Sequence, residues 1–553
     1  MIHGFRVPAA SAFVQDDFKV RSNLTLNLGL RWEYDGLFYD KYGENTDIWP
    51  SLINTVPVPG TTPATGTLAG YVVPSNYNFP ANPAPPVGGV FQNNKKIVTQ
   101  NSPSIANFAP RVGFAWKPLA SDRFVVRGGA GYFYDRVGQN IFNKGPQQNS
   151  PYAVPIYQTS AANYFSTLAQ PYAPTALGWT PRWVNINTAT QTGTSSNIST
   201  ILASPVYLTP LTYEWSLNVQ YEFAPTWVLE LGYVGSRSIH QVPDPSFIQQ
   251  LERQINQAQL ASPTNPINGI TTNTVANASL RVPYLGFSPS GLGDDQTIGD
   301  SKYNSLQATV RKQFSHGLQL QASYTYSRSF TTTAFVEVND QTKPEPYGLN
   351  PAYRPQRFAI NYSYDLPFGH HDALLGKIAN GWNVAGVTVV QDGLPLTIED
   401  TRGGSIYGFG PGATIASTAE FAAGMGPANV ATPGGVEARL GGATGGLGYF
   451  NKAAFGVTPV IGNGTGYGNS GYSILLGPGQ FNFDAALQKT TKVGGIHEDA
   501  TLVFRSEFFN AFNHPQFSSP TGSQLDVSKS TFGQITLASV NPRLIQFALK
   551  YVF

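Results

Sequence analysis

The stretch that decides the fold is residues 24–34, LTLNLGLRWEY. Its even positions carry only leucine, tryptophan and tyrosine, and its odd positions carry threonine, asparagine, glycine, arginine and glutamate. Successive side chains of a β-strand point to opposite faces, so this segment predicts a strand with one apolar and one polar face. The same alternation recurs in residues 213–223 and 318–327. Runs of about 10 residues have the length that a tilted strand needs to cross a bilayer.

Extended along the chain, the pattern predicts about 13 strands. They are residues 13–20, 24–34, 111–116, 124–134, 211–223, 227–234, 303–314, 318–330, 358–364, 382–392, 481–489, 501–512 and 544–553. Tight turns such as 224–226 alternate with long excursions such as 135–210, which are rich in Pro, Gly, Asn, Ser and Thr. Short turns on one side and long loops on the other are typical of outer-membrane barrels.

The composition argues against several classes of protein and site. Of 553 residues only 12% are charged, the formal net charge is +2, and there is no cysteine. These values argue against nucleic-acid binding and exclude disulfides and thiolate sites. The N-terminal 17 residues lack the apolar core of a signal peptide, so either the protein is cytosolic or the sequence lacks its start.

Aromatic residues crowd the predicted strand ends, as in residues 31–34, 132–134 and 362–364. Aromatic girdles at the two interfaces of a membrane barrel would have this distribution. The alternative is the hydrophobic core of a large soluble β protein, but such a protein should carry more charge on its exposed face. The membrane interpretation is therefore favoured.

The last predicted strand alternates and ends the chain on an aromatic residue; its apolar positions are Ile545, Phe547, Leu549, Tyr551 and Phe553. Together with residues 15–34, 504–517 and 532–553, it resembles the barrel of TonB-dependent outer-membrane receptors of the Oar-like group. The resemblance covers essentially the whole chain. It implies an all-β fold, an antiparallel transmembrane β-barrel of about 22 strands with long extracellular loops.

The sequence departs from the full pattern of that group. No signal peptide, carboxypeptidase-regulatory-like domain, TonB box or plug is visible before the strands. With about 13 of about 22 strands present, roughly nine would be missing. The expectation is that residues 1–553 form one partial barrel domain, the C-terminal part of a longer receptor.

Several charged residues fall on the polar face of predicted strands and should line the barrel lumen. They are Arg31, Glu33, Glu214, Glu222, Arg505 and Glu507. Such residues solvate the lumen and contact a plug, with substrate contact as the alternative. Arg505 and Glu507 are two residues apart, hence on one face, and are the best candidates for a plug-contacting ion pair.

Other polar clusters favour structural roles over chemistry. The segments His370-His371-Asp372 and His497-Glu498-Asp499 are predicted to be solvated turns, and His514 is predicted to have a structural role. The glycine-rich residues 462–468 lack the strand and helix of a phosphate-binding loop. Calcium at Asp294, Asp295 and Asp300 is a weaker hypothesis than a polar loop, because the EF-hand spacing is absent. No catalytic site, metal or cofactor is predicted.

The leading hypothesis is a receptor in the bacterial outer membrane that imports a ligand too large for porins and is not an enzyme. The resemblance implies four partners: outer-membrane lipid, the plug of the same receptor, TonB acting through the missing N-terminal region, and an unidentified extracellular ligand. No nucleic acid is expected. A passive porin-like channel and a secreted or surface β-rich adhesin remain as alternatives.

Overall fold

The fold is given by a computed structural model. It describes residues 4–53, 66–67, 70–80, 90–136, 186–187, 198–241, 253–284, 287–332, 347–368, 373–402, 405–407, 417–432, 448–457, 460–461, 464–465 and 468–553. The predictions for His370-His371-Asp372 and for most of the glycine-rich residues 462–468 lie outside these ranges.

One large antiparallel sheet dominates the chain, and its strands are hydrogen-bonded in chain order. They are β1 (Ala9–Arg21), β2 (Leu24–Asp35), β3 (Asn107–Trp116), β4 (Phe124–Tyr134), β5 (Leu211–Ala224), β6 (Trp227–Gln241), β7 (Gly299–Ser315), β8 (Leu318–Thr332), β9 (Gln356–Asp365), β10 (Trp382–Gln391), β11 (Gln480–Lys492), β12 (Thr501–Phe509) and β13 (Leu544–Val552). The short strand Tyr347–Leu349 also pairs with β8 and brings the sheet to 14 strands.

All thirteen strands predicted from the alternation are present and in the predicted order, so the all-β prediction is confirmed. Their ends differ in places. β6 continues to Gln241, beyond the predicted end at residue 234, because the polar residues that follow still pair in the ladder. β12 stops at Phe509 and not at Phe512, since Asn510 has a left-handed backbone with φ 48°. Phe553 lies just beyond the end of β13.

The register keeps the two faces of the sheet separate from strand to strand. Leu28, Val112, Ala130 and Trp215 are successive partners on the apolar face. The next partner of Trp215 is Gly235, where an added Cβ would lie 2.3 Å from the indole ring. A glycine is therefore required for this tryptophan to lie flat against the sheet.

Aromatic side chains of the apolar face gather at both ends of the strands. At one end, Tyr132 and Tyr213 meet edge to face with ring centroids 4.8 Å apart. At the other end, the ring centroids of Phe223 and Trp227 are 6.0 Å apart. Two aromatic bands that flank an apolar zone are what a membrane barrel places at its two interfaces.

The connections separate by side as the sequence indicated. One side has the short turns, residues 22–23, 117–123, 225–226, 316–317, 366–381 and 493–500. In the two-residue turn 316–317, His316 and Gly317 both have positive φ, which two-residue hairpin turns favour. The turn 366–381 contains the helix α1 (Ala373–Ala379).

The other side carries the long loops, which contain short elements of their own. Their strands are Phe5–Arg6, Tyr39–Asp40, Asp47–Ile48, Gly66–Thr67, Tyr71–Val73, Val90–Gln92, Ile186–Asn187, Ile198–Ala203, Arg253–Gln254, Phe287–Asp295, Pro395–Leu396, Glu399–Asp400, Ser417–Thr418, Glu420–Phe421, Phe455–Gly456, Val460–Ile461, Gly464–Thr465 and Leu475–Leu476. Their 3-10 helices are Pro50–Leu52, Ala278–Leu280, Ser405–Tyr407, Pro427–Asn429, Lys452–Ala454 and Gly522–Gln524. Among the described residues, no helix is long and apolar enough to cross a membrane.

The largest fully buried apolar side chains of the described residues belong to the long loops and not to the large sheet. One cluster joins Ile48 and Tyr71 to Phe287 and Leu292, from loops more than 200 residues apart in sequence. A second cluster is formed by Leu396, Ile398, Ala419, Val430, Phe450, Val527 and Phe532. The long loops therefore fold against one another on their side of the sheet.

The two outermost strands, β1 and β13, are each paired on one side only within the described sheet. Every residue of both strands is exposed. Within the described residues there is no pairing between β1 and β13, so the sheet is not closed into a barrel.

A lysine on the apolar face closes one of the short turns. Lys312 is only 8% exposed, and its ammonium donates to the carbonyl of Leu318 at 3.1 Å and to the carbonyl and hydroxyl of Ser315 at 2.9 and 2.7 Å. The same ammonium lies 5.7 Å from the ring centre of Trp227. Lys312 thus supplies a donor to the carbonyl groups that flank the turn between β7 and β8.

We expect Lys312→Met to destabilise the protein by about 1–3 kcal/mol, because buried carbonyl groups of the turn lose their donor. The measurement is the urea midpoint of unfolding in detergent. The control, Lys302→Met at an exposed position of the same strand, should change the stability by less than about 0.5 kcal/mol. Equal effects of the two substitutions would refute this role of Lys312.

Candidate functional site

The polar face of the sheet holds the charged residues singled out from the sequence. Arg31 and Glu33 form an ion pair through Nε and Oε1. The guanidinium of Arg31 also donates to the hydroxyl of Ser11 on β1, 3.0 Å away. Because β1 and β2 are neighbours, this hydrogen bond ties the side chains of the first two strands together.

Arg505 and Glu507 also form an ion pair, with Nη2 and Oε1 2.7 Å apart. The Arg505 side chain is half exposed and lines a polar hollow of about 620 Å³ near the short turns. In that hollow the Asn383 amide donates to Asp365 at 2.7 Å. The pair is present as the spacing predicted, and its contact with a plug stays a prediction.

Glu214 and Glu222 share the polar face but differ from the residues above. Within the described residues neither of them forms an ion pair. Glu214 is exposed and lines a second hollow of about 550 Å³. Glu222 is partly buried, and its backbone N–H donates to the carbonyl of Arg123 at 2.8 Å.

The second hollow was not foreseen from the sequence. Three glycines without a side chain to fill the space, Gly113, Gly129 and Gly131, line it, and Arg111 and Glu214 lie on either side of Gly131 in the ladder. The guanidinium of Arg111 lies 4.4 Å from the ring centre of Phe133. The available signal was the run Gly-Gly-Ala-Gly at residues 128–131, which is too open for an ordinary strand.

Further polar pairs that sequence reasoning missed continue along the same face. Asn218 donates to Glu230 at 2.8 Å, and Arg127 donates to Gln220 at 2.9 Å. Asn218 and Glu230 are 12 residues apart in sequence, and Arg127 and Gln220 are 93 residues apart. The pairing of neighbouring strands brings each pair together. A wall with a continuous hydrogen-bonding surface suits water or a polar polypeptide inside the barrel.

The residues of the last strand lie where the alternation predicted. Ile545, Leu549 and Tyr551 pair with Phe508, Phe504 and Leu502 of the apolar face. Phe547 stacks on Phe504 with ring centroids 6.1 Å apart. This face of β13 is suited to lipid, although the role of the strand in assembly stays a prediction.

The predicted polar turns and the calcium hypothesis can be placed as well. Asp499 pairs with Lys492 at 2.8 Å, and Asp300 pairs with Arg237 at 2.7 Å. The backbone of His514 is fixed by Asn510, whose side-chain oxygen accepts its N–H at 2.9 Å. Within the part of the chain that the structure describes, no group of three or more His, Cys, Asp or Glu residues could hold a metal ion.

A buried arginine fastens two long loops to each other. Arg281 is fully buried, and its guanidinium donates to the side chain of Asn277 at 2.8 Å and to backbone carbonyls of Gln259 and Thr274 in its own loop. It also donates to the carbonyl of Ile406, which belongs to a loop 125 residues away in sequence. Burial lowers the pKa of Arg281. The contact fixes the relative position of the two loops.

A second loop contact contains a carboxyl group with an altered pKa. Glu399 and Asp526 form a parallel bridge, in which the Glu399 N–H donates to Leu525 and the Val527 N–H donates to Glu399, both at 2.9 Å. Burial, and then the charge of Asp526, raise the pKa of Glu399 to about 7. The other charged groups of this contact are Asp400, held by Arg402 at 2.6 Å, and Lys529, which lies 3.8 Å from Asp526.

This loop contact should weaken as the pH rises. The pKa of Glu399 is higher in the folded state than its ordinary value of 4.5, so its stabilising effect is complete below pH 4.5 and is lost as the pH passes 7. Hydrogen exchange of the Val527 amide should accelerate between pH 6 and 8 beyond the intrinsic rate. Glu399→Gln should remove this excess, and Glu420→Gln in the same loop should retain it. A persistent excess in Glu399→Gln would assign the effect to another group.

The sequence model of the outer membrane beta barrel domain family matches residues 2–546. A search of curated protein sequences gives no match.

Several solved structures can be superimposed on the chain. The outer membrane transporter YddB from Escherichia coli is 11% identical with a TM-score of 0.41, and the alignment covers 98% of this chain and 44% of YddB. The pyoverdine outer membrane receptor FpvA from Pseudomonas aeruginosa is 9% identical with a TM-score of 0.39, and the alignment covers 99% of this chain and 42% of FpvA. The siderophore receptor PiuA from Acinetobacter baumannii is 10% identical with a TM-score of 0.36, and the alignment covers 99% of this chain and 43% of PiuA. The chain thus spans less than half the length of each.

The family match over nearly the whole chain agrees with the alternating strands, the two aromatic bands and the separation of short turns from long loops. These features place the protein in the bacterial outer membrane. The chain belongs to the outer membrane beta barrel domain family.

Proposed function

We propose that the chain forms the wall of a TonB-dependent receptor that imports a ligand too large for porins, and that it binds and transports without catalysing a reaction. The observation that carries the proposal is the packing of the long loops. Loops distant in sequence share apolar clusters and the buried Arg281, which makes a shaped outer surface. A shaped surface is what ligand capture needs, whereas a passive pore needs only an opening.

The polar face is the second support. Paired charges such as Arg31–Glu33 and Arg505–Glu507 leave some hydrogen-bonding capacity exposed, as do Glu214 and Glu222, which have no ion pair among the described residues. We propose that these side chains contact a plug in the lumen, which supplies the partner groups. TonB would act on that plug from the periplasmic side, as the resemblance implies.

A passive channel is the second candidate, and the test separates the two. The product of the full gene is reconstituted in liposomes, and swelling is followed in arabinose. A plugged receptor should give no more swelling than empty liposomes, whereas a porin should swell them at once. In cells, the receptor should take up its ligand only when TonB and the proton gradient are intact. Iron-loaded pyoverdine is a suitable first probe, because FpvA binds pyoverdine.

A further inference from the structure

The turn between β9 and β10 differs from the other short turns, because it contains the α-helix α1. The helix ends just before β10, and its last residues are held by side chains of the sheet. The indole N–H of Trp382 donates to the carbonyl of Ile378 at 2.9 Å. Lys489 donates to the carbonyl of Asn380, and the hydroxyl of Thr491 donates to the carbonyl of Lys377 at 3.5 Å.

The three side chains that hold the helix share one face of the sheet. Trp382 and Lys489 are direct partners in the β10–β11 ladder, and Lys489 lies 5.8 Å from the Trp382 ring centre. Thr491 is two residues beyond Lys489 and therefore points the same way. On this face the neighbouring partners are Val384 and Leu487, so it is the apolar face. Helix α1 consequently lies against the outer surface of the wall, at the level of the short turns.

On this outer surface α1 leaves an apolar and a basic side chain uncovered. Ile378 is 62% exposed, and Lys377 beside it is also exposed. Phe368, earlier in the same turn, is 52% exposed. An exposed isoleucine next to an aromatic–lysine pair has the composition of a segment that lies in a lipid headgroup region.

We propose that α1 is a membrane-surface anchor, which inserts Ile378 into the phospholipid leaflet on the short-turn side and places Lys377 among anionic headgroups. The partner is lipid because the helix continues the apolar face of the sheet and because its exposed charge is positive. The anchor fixes the depth of β10 and β11 in the membrane.

The chain has no cysteine, so an introduced cysteine is the single labelling position within residues 1–553. We would label Ile378→Cys with NBD in the full gene product, reconstituted in vesicles of phosphatidylethanolamine and phosphatidylglycerol. The matched control is Val275→Cys, at a position that is 50% exposed in a long loop on the opposite side. Heat-dependent electrophoretic mobility shows that each labelled protein has assembled.

NBD at Ile378→Cys should show blue-shifted emission and quenching by lipid that carries a shallow doxyl group, and NBD at Val275→Cys should show neither effect. If Ile378→Cys does not assemble, Lys377→Cys gives the same comparison at the headgroup level. Emission equal to that of the control, with quenching by aqueous iodide, would overturn the proposal and place α1 in water or against another protein.

Discussion

Deleting residues 547–553 should abolish most outer-membrane assembly of the full gene product. The deletion removes most of β13 and with it the partners of Leu502, Phe504 and Ser506. It leaves the outer edge of β12 unpaired, and each unsatisfied backbone group in hydrocarbon costs several kcal/mol. The measurement is the amount of heat-modifiable protein in the outer-membrane fraction.

A single charged residue at position 553 tests the same region with a smaller change than the deletion. Phe553→Asp should also reduce assembly, since a charge facing lipid costs up to about 2–4 kcal/mol at the midplane and less near the interface. The control is a deletion of seven residues inside loop 403–448, which lies on the long-loop side. Equal assembly of the terminal and loop variants would argue against a special role of the last strand.

The second large effect concerns whether the sheet closes into a barrel. We expect residues 1–553, refolded alone in detergent, to form no heat-modifiable monomer and no defined pore. The reason is that β1 and β13 each have one edge without a partner in the described sheet, and the cost of unpaired groups accumulates along strands of 13 and 9 residues. The measurements are electrophoretic mobility before and after heating, and single-channel conductance.

A heat-modifiable monomer with a steady conductance would contradict this expectation. It would mean that β1 and β13 pair with each other in detergent, and it would make the passive channel the better account. Aggregation through exposed edges is the outcome that the sheet topology predicts.

The wall of the protein was predictable from the sequence because its signal is local. Alternation within about 10 residues identifies a strand, and the same pattern defines which side chains share a face. The spacing of Arg505 and Glu507 was enough to predict their ion pair. Where the alternation fades into polar residues, as at Ser236 and Ser238 of β6, the strand continued beyond its predicted end.

The parts that sequence reasoning missed depend on contacts between distant segments. Nothing near Arg281 indicates that it would donate to Ile406, and nothing near Glu399 indicates that Asp526 would lie beside it. The hollow beside Arg111 arises because glycines of neighbouring strands come into register. Register between strands is fixed by the whole sheet and cannot be read from one strand.

The central claim is that one face of the sheet contacts lipid while the other faces a polar lumen. A cysteine scan of β7 from Tyr303 to Arg311 tests it, with a bimane label at each position of the full gene product in vesicles. Lipid carrying a deep doxyl group should quench the even positions Leu306, Ala308 and Val310, and should leave the odd positions Ser305, Gln307 and Thr309 unquenched. Absence of lipid quenching at every position, or equal quenching at both sets, would contradict the account.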